Sequence, residues 1–222
     1  MTRENIAPSP ASSPTEIVDP RWRRTRQAIL DAGAGLFGEH ASEGVSIDDI
    51  VRSADVSKQS FYNHFADKDA LAHELLRLAR NEIDTLVTAA NEGVDDPARR
   101  VVTGLAVYVA QALCKPHQGQ LIGRLLAYDT PLDAETNSPV IADISAGLAK
   151  GRLAVFTPET GVGFLLGAGE ALIRQVVASR DRDAAATACQ QYSTLVLRAF
   201  GLSPLEAEMI SAEAANRIVR NS

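Results

Sequence analysis

Apolar residues recur with a helical period through most of this chain, and the pattern is clearest between residues 46 and 68. A first stripe has the spacing i, i+3, i+4 and i+7 of one helix face, and its members are Ile47, Ile50, Val51 and Ala54. Phe61 and Phe65 stand four residues apart, so they share one face of a second helix. The pattern therefore predicts two short helices joined by a tight turn.

Residues that favour helix starts divide this region. Ser46 is followed three residues later by Asp49, which is the spacing of a capping box. Ser57 and Asp67 occupy matching positions before the second helix and before a third, longer one. These caps set the beginning of each predicted helix.

Further helical patterns fill the rest of the chain, and Pro and Gly residues separate them. Residues 1–20 are rich in Pro and Ser without any period, which predicts a disordered tail. The remaining predicted helices run from about Pro20 or Arg21 to His40, Asp67 to Asn91, Pro97 to Cys114, Gln118 to Tyr128, Ser138 to Leu153, Pro158 to Ser179, Arg182 to Phe200, and Pro204 to Arg220. No strand pattern of useful length appears, so the predicted fold class is all-α.

The apolar positions also predict which side of each long helix is buried. In the first helix these are Trp22, Ile29, Leu36 and Phe37. In the helix after Asp67 they are Leu71, Leu75, Leu78, Ile83 and Leu86. Two later segments, Gly161–Val177 and Ala184–Phe200, are apolar over most of their circumference, so each must be covered on several sides. They are either central core helices or a pair that packs against its copy in a second subunit.

Composition limits where the protein works and what it binds. The chain has 222 residues and a net charge of −6, which disfavours nonspecific nucleic-acid binding and requires local positive charge if DNA is the partner. No signal peptide or apolar run long enough to cross a bilayer is evident. The two cysteines, Cys114 and Cys189, are expected to be buried thiols in a reducing compartment. These features predict a cytoplasmic protein without a membrane partner.

Side chains suited to DNA crowd the start of the second short helix. Gln59 can pair with an adenine edge, and Lys58 can reach guanine or a phosphate. The arginine-rich start of the first helix (Arg21, Arg23, Arg24 and Arg26, with Trp22 among them) would add positive charge along the backbone or in the minor groove. These residues favour a helix-turn-helix that inserts into the major groove.

Residues Arg24–Leu75 resemble the DNA-binding domain of the tetracycline-repressor (TetR) family, through RQAILDAGAGLF and then SIDDIVRSADVSKQSFYNHFADKDAL. The resemblance implies a homodimeric transcription factor, most often a repressor, that binds a palindromic operator and is released by a small molecule. After the tail that composition predicts at 1–20, the resemblance implies a helix-turn-helix domain at 21–66 and a larger helical domain at 67–222 for ligand binding and dimerisation.

The expected DNA contacts are Arg52, Ser57, Lys58, Gln59, Ser60, Tyr62, Asn63, His64 and Lys68. The resemblance gives Tyr62 and Lys68 phosphate contacts. For each contact, the alternative is a solvated surface side chain. One departure stands out: Asp55 occupies a turn position where the family usually has Gly. Asp tolerates the left-handed conformation better than most residues, but its charge lies near the predicted reader helix.

Candidate ligand contacts in the larger domain are polar or aromatic side chains that either line a cavity or belong to core and surface. They are Tyr108, His117, Tyr128, Phe164, Glu170 and Arg174, with Cys114 and Phe156 as further candidates. Glu170 and Arg174 stand at i and i+4, which equally favours a structural ion pair or a seat at a dimer seam.

Other functions are less favoured by the sequence. Cys114 and His117 have no second ligand pair at zinc-site spacing, and no nucleophile elbow, P-loop or dinucleotide motif is present, so neither enzyme activity nor a metal or cofactor is expected. The alternative function is a ligand-binding interaction protein of the same fold with a weakened DNA reader. Asp55 and the acidic flank at Asp48 and Asp49 motivate that alternative.

Overall fold

The computed structural model describes residues 19–40, 44–125 and 137–221, which form α-helices and contain no strand. The helices are α1 Pro20–Glu39, α2 Ile47–Ala54, α3 Lys58–Tyr62, α4 Lys68–Ala90, α5 Pro97–Cys114, α6 Pro116–Leu125, α7 Ser138–Ala149, α8 Pro158–Ser179, α9 Arg182–Ala199 and α10 Pro204–Ala214. A π-helical segment, Ala215–Arg220, continues α10. The all-α prediction is confirmed.

Most helices begin and end where the caps and prolines predicted. The side chain of Ser46 accepts a hydrogen bond from the Asp49 backbone and Asp49 returns one, completing the capping box. Ser57 and Asp67 cap α3 and α4 as expected. Helix α7 ends earlier than its prediction, because the chain turns through Gly151 at a φ of +63°. The predicted end of α6 lies outside the described residues.

Two apolar cores organise the helices. The first joins α1–α4 and extends into α5 and α6, and the second is built from α5 and α7–α10 with the π-helical segment. Tyr108 on α5 packs against both cores, as does Ile218. Helix α4 therefore connects the short N-terminal helices to the larger helical body.

The first core holds α2 and α3 in place. Ile50 of α2, Phe61 of α3 and Leu71 of α4 have no exposed surface. The rings of Phe61 and Phe65 lie 5.9 Å apart between centroids, so the predicted aromatic anchor is present. Gly33 lets α4 approach α1 closely, since a Cβ there would lie 2.9 Å from Leu71 Cδ2.

Four burial predictions are wrong. Trp22 is 42% exposed, because it lies on the surface against His64 rather than in the core. Leu78 and Leu86 are exposed, since the buried face of α4 passes through Leu76, Ala79 and Ile83 and leaves them at its edges. Cys114 is exposed at the end of α5. Cys189 is buried as expected, and loss of solvent raises the pKa of its thiol to about 11.

Helix α8 is an exception to the expectation that no segment could cross a membrane. Among the described residues, α8 is the one helix that is long enough and apolar enough to cross a membrane, by length and composition only. In its most apolar window, 39% is buried inside the protein. It packs against α5, α6, α7 and α9. Its apolar character is that of a helix placed at the centre of the larger body.

Candidate nucleic-acid interface and effector cavity

The turn before α3 is made by a left-handed residue. Asp55 ends α2 with φ 52° and ψ 47°, as the sequence predicted for this position. Ser57 then accepts a hydrogen bond from the Ser60 backbone, which starts α3 two residues after the turn. The tight connection fixes the direction in which α3 leaves α2.

Helix α3 presents one face to the core and the other to solvent. Phe61 is fully buried, whereas Tyr62 is 52% exposed, and Lys58 and Gln59 are exposed beside it. Gln59 Nε2 donates to Asn63 Oδ1 at 3.3 Å, which aligns two amide side chains on the outer face. The outer face of α3 is thus polar, convex and able to meet a base edge.

Two predicted contact residues are paired with acids of α2. Lys58 Nζ lies 2.6 Å from Asp48 Oδ1, and this hydrogen bond raises the pKa of Lys58. Arg52 lies 3.2 Å from Asp49. Both pairs are solvent-exposed, so exchanging the carboxylate for a phosphate would sacrifice little energy.

The arginine-rich start of α1 is divided between surface and core. Arg21, Arg23 and Arg24 are exposed. Arg26 turns inward instead, where it pairs with Glu74 of α4 and its guanidinium carbon lies 5.3 Å from the centre of the Phe65 ring. Three of the four arginines are therefore available to a negatively charged partner.

His64 and Lys68 lie beside α3 in partly covered positions. The His64 ring packs against Trp22 at a tilt of 54°, with 4.5 Å between the centroids, and burial together with nearby Arg26 lowers the pKa of His64. Lys68 is half-buried in the first turn of α4, whose N-cap Asp67 accepts from the Ala70 backbone. Predicted DNA contacts that are exposed and others that are partly covered thus lie on and beside α3.

A cavity of about 110 Å³ lies in the larger body between α4, α5, α7 and α8. Its walls include leucines and valines, and its polar side chains are Arg80, Asp84, Thr88, Arg100, Tyr108 and Asp143. Tyr108 donates its hydroxyl proton to Asp84 Oδ1 at 2.8 Å and receives a hydrogen bond from Arg80 Nε at 3.3 Å. Burial raises the pKa of both Asp84 and Tyr108.

Most sequence-based ligand candidates lie away from this cavity. Tyr108 lines it, but Phe164 is on the outer side of α8 against Phe200, and His117 is exposed on α6. Glu170 and Arg174 form the ion pair that their spacing favoured, at 2.6 Å. Cys114 and Phe156 are exposed. Tyr128 lies outside the described residues.

The sequence reasoning missed the charged lining of the cavity. Arg80 is only 4% exposed, although arginines usually remain in water. Arg80 and Asp84 stand at i and i+4 on α4, and this spacing was the available signal. Within the described residues, no group of three or more His, Cys, Asp or Glu side chains is placed to hold a metal ion.

Sequence comparison identifies the N-terminal region. The family described as "Bacterial regulatory proteins, tetR family" matches residues 29–75. The chain is 29% identical over 107 residues to the HTH-type transcriptional repressor DhaR of Mycobacterium sp. (strain GP1). That alignment covers 48% of this chain and 53% of DhaR, so the chain spans about half the length of this relative.

Solved structures share the fold over most of the chain. A putative tetR family transcription regulator from Shewanella sp. PV-4 has a TM-score of 0.66 at 21% identity, covering 81% of this chain and 99% of that one. RolR, crystallised with resorcinol, has a TM-score of 0.59 at 20% identity, covering 86% and 95%. Residues 29–75 therefore match the tetR family of bacterial regulatory proteins, and the chain shares the fold of these solved structures.

Proposed function

We propose that this protein is a DNA-binding transcriptional regulator of the cytoplasm, and that it acts as a repressor. The observation that carries the proposal is α3: it is anchored by Phe61 and carries Gln59 and Tyr62 outward. In this proposal residues 21–66 read DNA and residues 67–222 bind the effector and form the dimer. The first core crosses that division, so the reader is fixed rigidly to α4.

The contact residues divide into base readers and phosphate contacts. Gln59 and Lys58 sit at the start of α3, where they enter the major groove first. Tyr62 and Lys68 hold phosphates on either side, since phosphate contacts fix the register of the helix on the duplex. A further set supports them from the flanks: Arg52, Ser57, Ser60, Asn63 and His64.

The start of α1 supplies the positive charge that the overall composition lacks. Residues 46–69 contain five aspartates against three basic side chains, so the reader region is itself acidic. Arg21, Arg23 and Arg24 are exposed on the adjoining helix. They provide the local electrostatic attraction on which DNA affinity depends.

Two copies of the chain would pair through α8 and α9, which pack side by side. Phe164 of α8 is 49% exposed and Leu195 of α9 is 59% exposed. Exposed large apolar side chains on neighbouring helices mark an interaction surface. A two-fold dimer would place two readers on the halves of a palindromic operator.

Release by a small molecule follows from the cavity beside α4. RolR, a protein of the same fold, was crystallised with resorcinol. Here a ligand in the cavity would contact Arg80 and Asp84, which belong to the helix that starts next to α3. A ligand that favours one arrangement of α4 over another shifts the dimer away from the spacing that fits DNA.

Fluorescence anisotropy with a duplex from the gene's own promoter tests the proposal. Lys58→Ala and Gln59→Ala should each reduce discrimination between promoter and scrambled duplex about tenfold or more. Tyr62→Ala and Lys68→Ala should weaken binding to both duplexes similarly. Arg220→Ala, in the π-helical segment and paired with exposed Asp183, is the matched control and should change neither affinity. Equal affinity of the unmodified protein for both duplexes would contradict the repressor proposal.

A second function is favoured by the ion pairs on α2. Because Asp48 and Asp49 hold Lys58 and Arg52, a ligand-binding interaction protein with a weakened reader is the alternative. Asp48→Asn distinguishes the two. A repressor should gain affinity for promoter DNA while retaining its selectivity, whereas a weakened reader should gain only binding that disappears at moderate salt.

A further inference from the structure

Several polar side chains interrupt the apolar wall of the effector cavity, and the hydrogen bonds of one of them, Asp84, narrow the chemistry of the ligand. Asp84 of α4 receives one hydrogen bond from a protein side chain, the 2.8 Å bond from Tyr108 to its Oδ1. No described residue donates to Oδ2. This second carboxylate oxygen of a cavity-lining residue is therefore an acceptor for a donor carried by the ligand.

The arginines of the cavity already donate to protein acceptors. Arg80 donates through Nε to Tyr108 and through a terminal nitrogen to Asn137 at 3.0 Å. Arg100 donates through Nε to Asp143 at 2.5 Å and through a terminal nitrogen to two backbone carbonyls. A ligand carboxylate at these nitrogens would have to displace these bonds, which disfavours an anion there.

Charge balance disfavours a cation as well. Among the described residues, the lining contains two arginines and two aspartates, whose formal charges cancel. An ionised ligand would leave one uncompensated charge in a partly buried space, which is costly. The lining therefore suits a neutral molecule.

The volume limits the size of that molecule. The cavity measures about 110 Å³. An apolar protein cavity of about 150 Å³ accommodates benzene. The smaller space here therefore limits the ligand to about one ring or a short alkyl chain. Leu105, Leu165 and Leu172 line the apolar side and would cover such a body.

We propose that the effector is a neutral hydroxyl compound with an apolar body of about one ring, bound with its O–H donating to Asp84. This inference rests on the proposed function only for the consequence of binding, because the site itself is defined by the cavity. Phenol, cyclohexanol and 1-hexanol share the chemistry and differ in the shape of the apolar body.

Calorimetric titration of the full chain with simple probes tests the ligand class. At least one of phenol, cyclohexanol and 1-hexanol should bind about tenfold more tightly than toluene, which lacks the hydroxyl group. The same probe should bind more tightly than benzoate or benzylammonium. Tighter binding of either ion, or equal binding of toluene, would overturn the proposal.

Asp84→Asn tests the direction of the hydrogen bond. An amide group donates where the carboxylate accepted, so the variant should favour anisole, an acceptor only, over phenol, reversing the preference of the parent protein. Asp183→Asn is the matched control, since Asp183 is exposed and pairs with Arg220 away from the cavity. If phenol and anisole keep their original order in Asp84→Asn, the assigned contact is wrong.

A space-filling variant keeps the proposal testable if Asp84→Asn does not fold. A methyl group at Gly169 would meet Leu105 Cδ2 at 3.5 Å, an ordinary contact, and would occupy part of the cavity. Gly169→Ala should therefore fold and should weaken binding of the preferred hydroxyl probe at least fivefold. Unchanged binding in a folded Gly169→Ala protein would place the ligand elsewhere and overturn the proposal.

Parallel DNA titration separates failure of this inference from failure of the proposed function. Promoter-specific DNA binding with no response to any hydroxyl probe would refute the ligand class and leave the regulator intact. Hydroxyl binding that depends on Asp84, without promoter-specific DNA binding, would support the ligand class and refute the regulator.

Discussion

Substitutions at Asp55 separate the effect of backbone conformation on stability from the effect of surface charge on DNA affinity. Its φ of 52° lies in the left-handed region, which costs an ordinary L-residue about 1–2 kcal/mol and Asp or Asn less. Glycine avoids this cost, but it loses more conformational entropy on folding than other residues do. That loss costs about 0.5–1 kcal/mol and offsets part of the gain. We therefore expect Asp55→Gly to raise the free energy of unfolding by about 0.5 kcal/mol, Asp55→Asn to leave it unchanged, and Asp55→Ala to lower it by about 1 kcal/mol.

Thermal and urea unfolding of the parent protein and its three Asp55 variants measure the effect of backbone conformation on stability. For a chain of this length, 1 kcal/mol corresponds to about 2–4 °C in Tm, which is readily resolved. DNA titration measures the charge: Asp55→Asn and Asp55→Gly should raise affinity equally, and the gain should fade as salt screens it. The reasoning is refuted if Asp55→Ala is as stable as Asp55→Gly, or if only Asp55→Gly gains DNA affinity.

Three further predictions concern stability. Gly35→Ala, within α1 and with nothing within 4 Å of the added methyl, should raise the free energy of unfolding by about 0.5–1 kcal/mol in urea titration, whereas Gly33→Ala should lower it by crowding α4. Arg152 holds the pKa of Asp96 below its usual value, chiefly through hydrogen bonds. Arg152→Ala should cost about 1 kcal/mol at pH 7, and the difference from the parent protein should vanish as acid protonates Asp96. The pKa of His64 is lowered, so the folded state takes up its proton less readily than the unfolded state. The unfolding free energy should fall as pH drops below about 6.5, and His64→Phe should flatten that fall in unfolding followed by tryptophan fluorescence.

Features set by local chemistry could be predicted from the sequence. Ser46, Ser57 and Asp67 act through backbone groups within three residues, so their helix starts were predicted correctly. The outward face of α3 was predictable for the same reason, because Phe61 and Phe65 define the opposite side.

Features set by distant neighbours could not be predicted in this way. Leu78 has the right period for the core but lies where none of the described helices covers it, and Trp22 finds a partner 42 residues away in His64. The cavity depends on how α4, α5, α7 and α8 meet, which periodicity does not specify. Arg80 consequently looked like any solvated arginine until its partners on other helices were known.

The shortness of α3 bears on how new operator preferences can arise. Five residues cannot sustain a helix alone, so this one exists only through its inward aromatic ring and its neighbours. Gln59, by contrast, contributes little to that support, since its side chain is exposed, whereas the Tyr62 ring packs edge-on against Phe61 with 5.6 Å between the ring centroids. Evolution or a designer can therefore exchange Gln59 to change the recognised sequence without rebuilding the scaffold beneath, while a change at Tyr62 also alters the packing on Phe61.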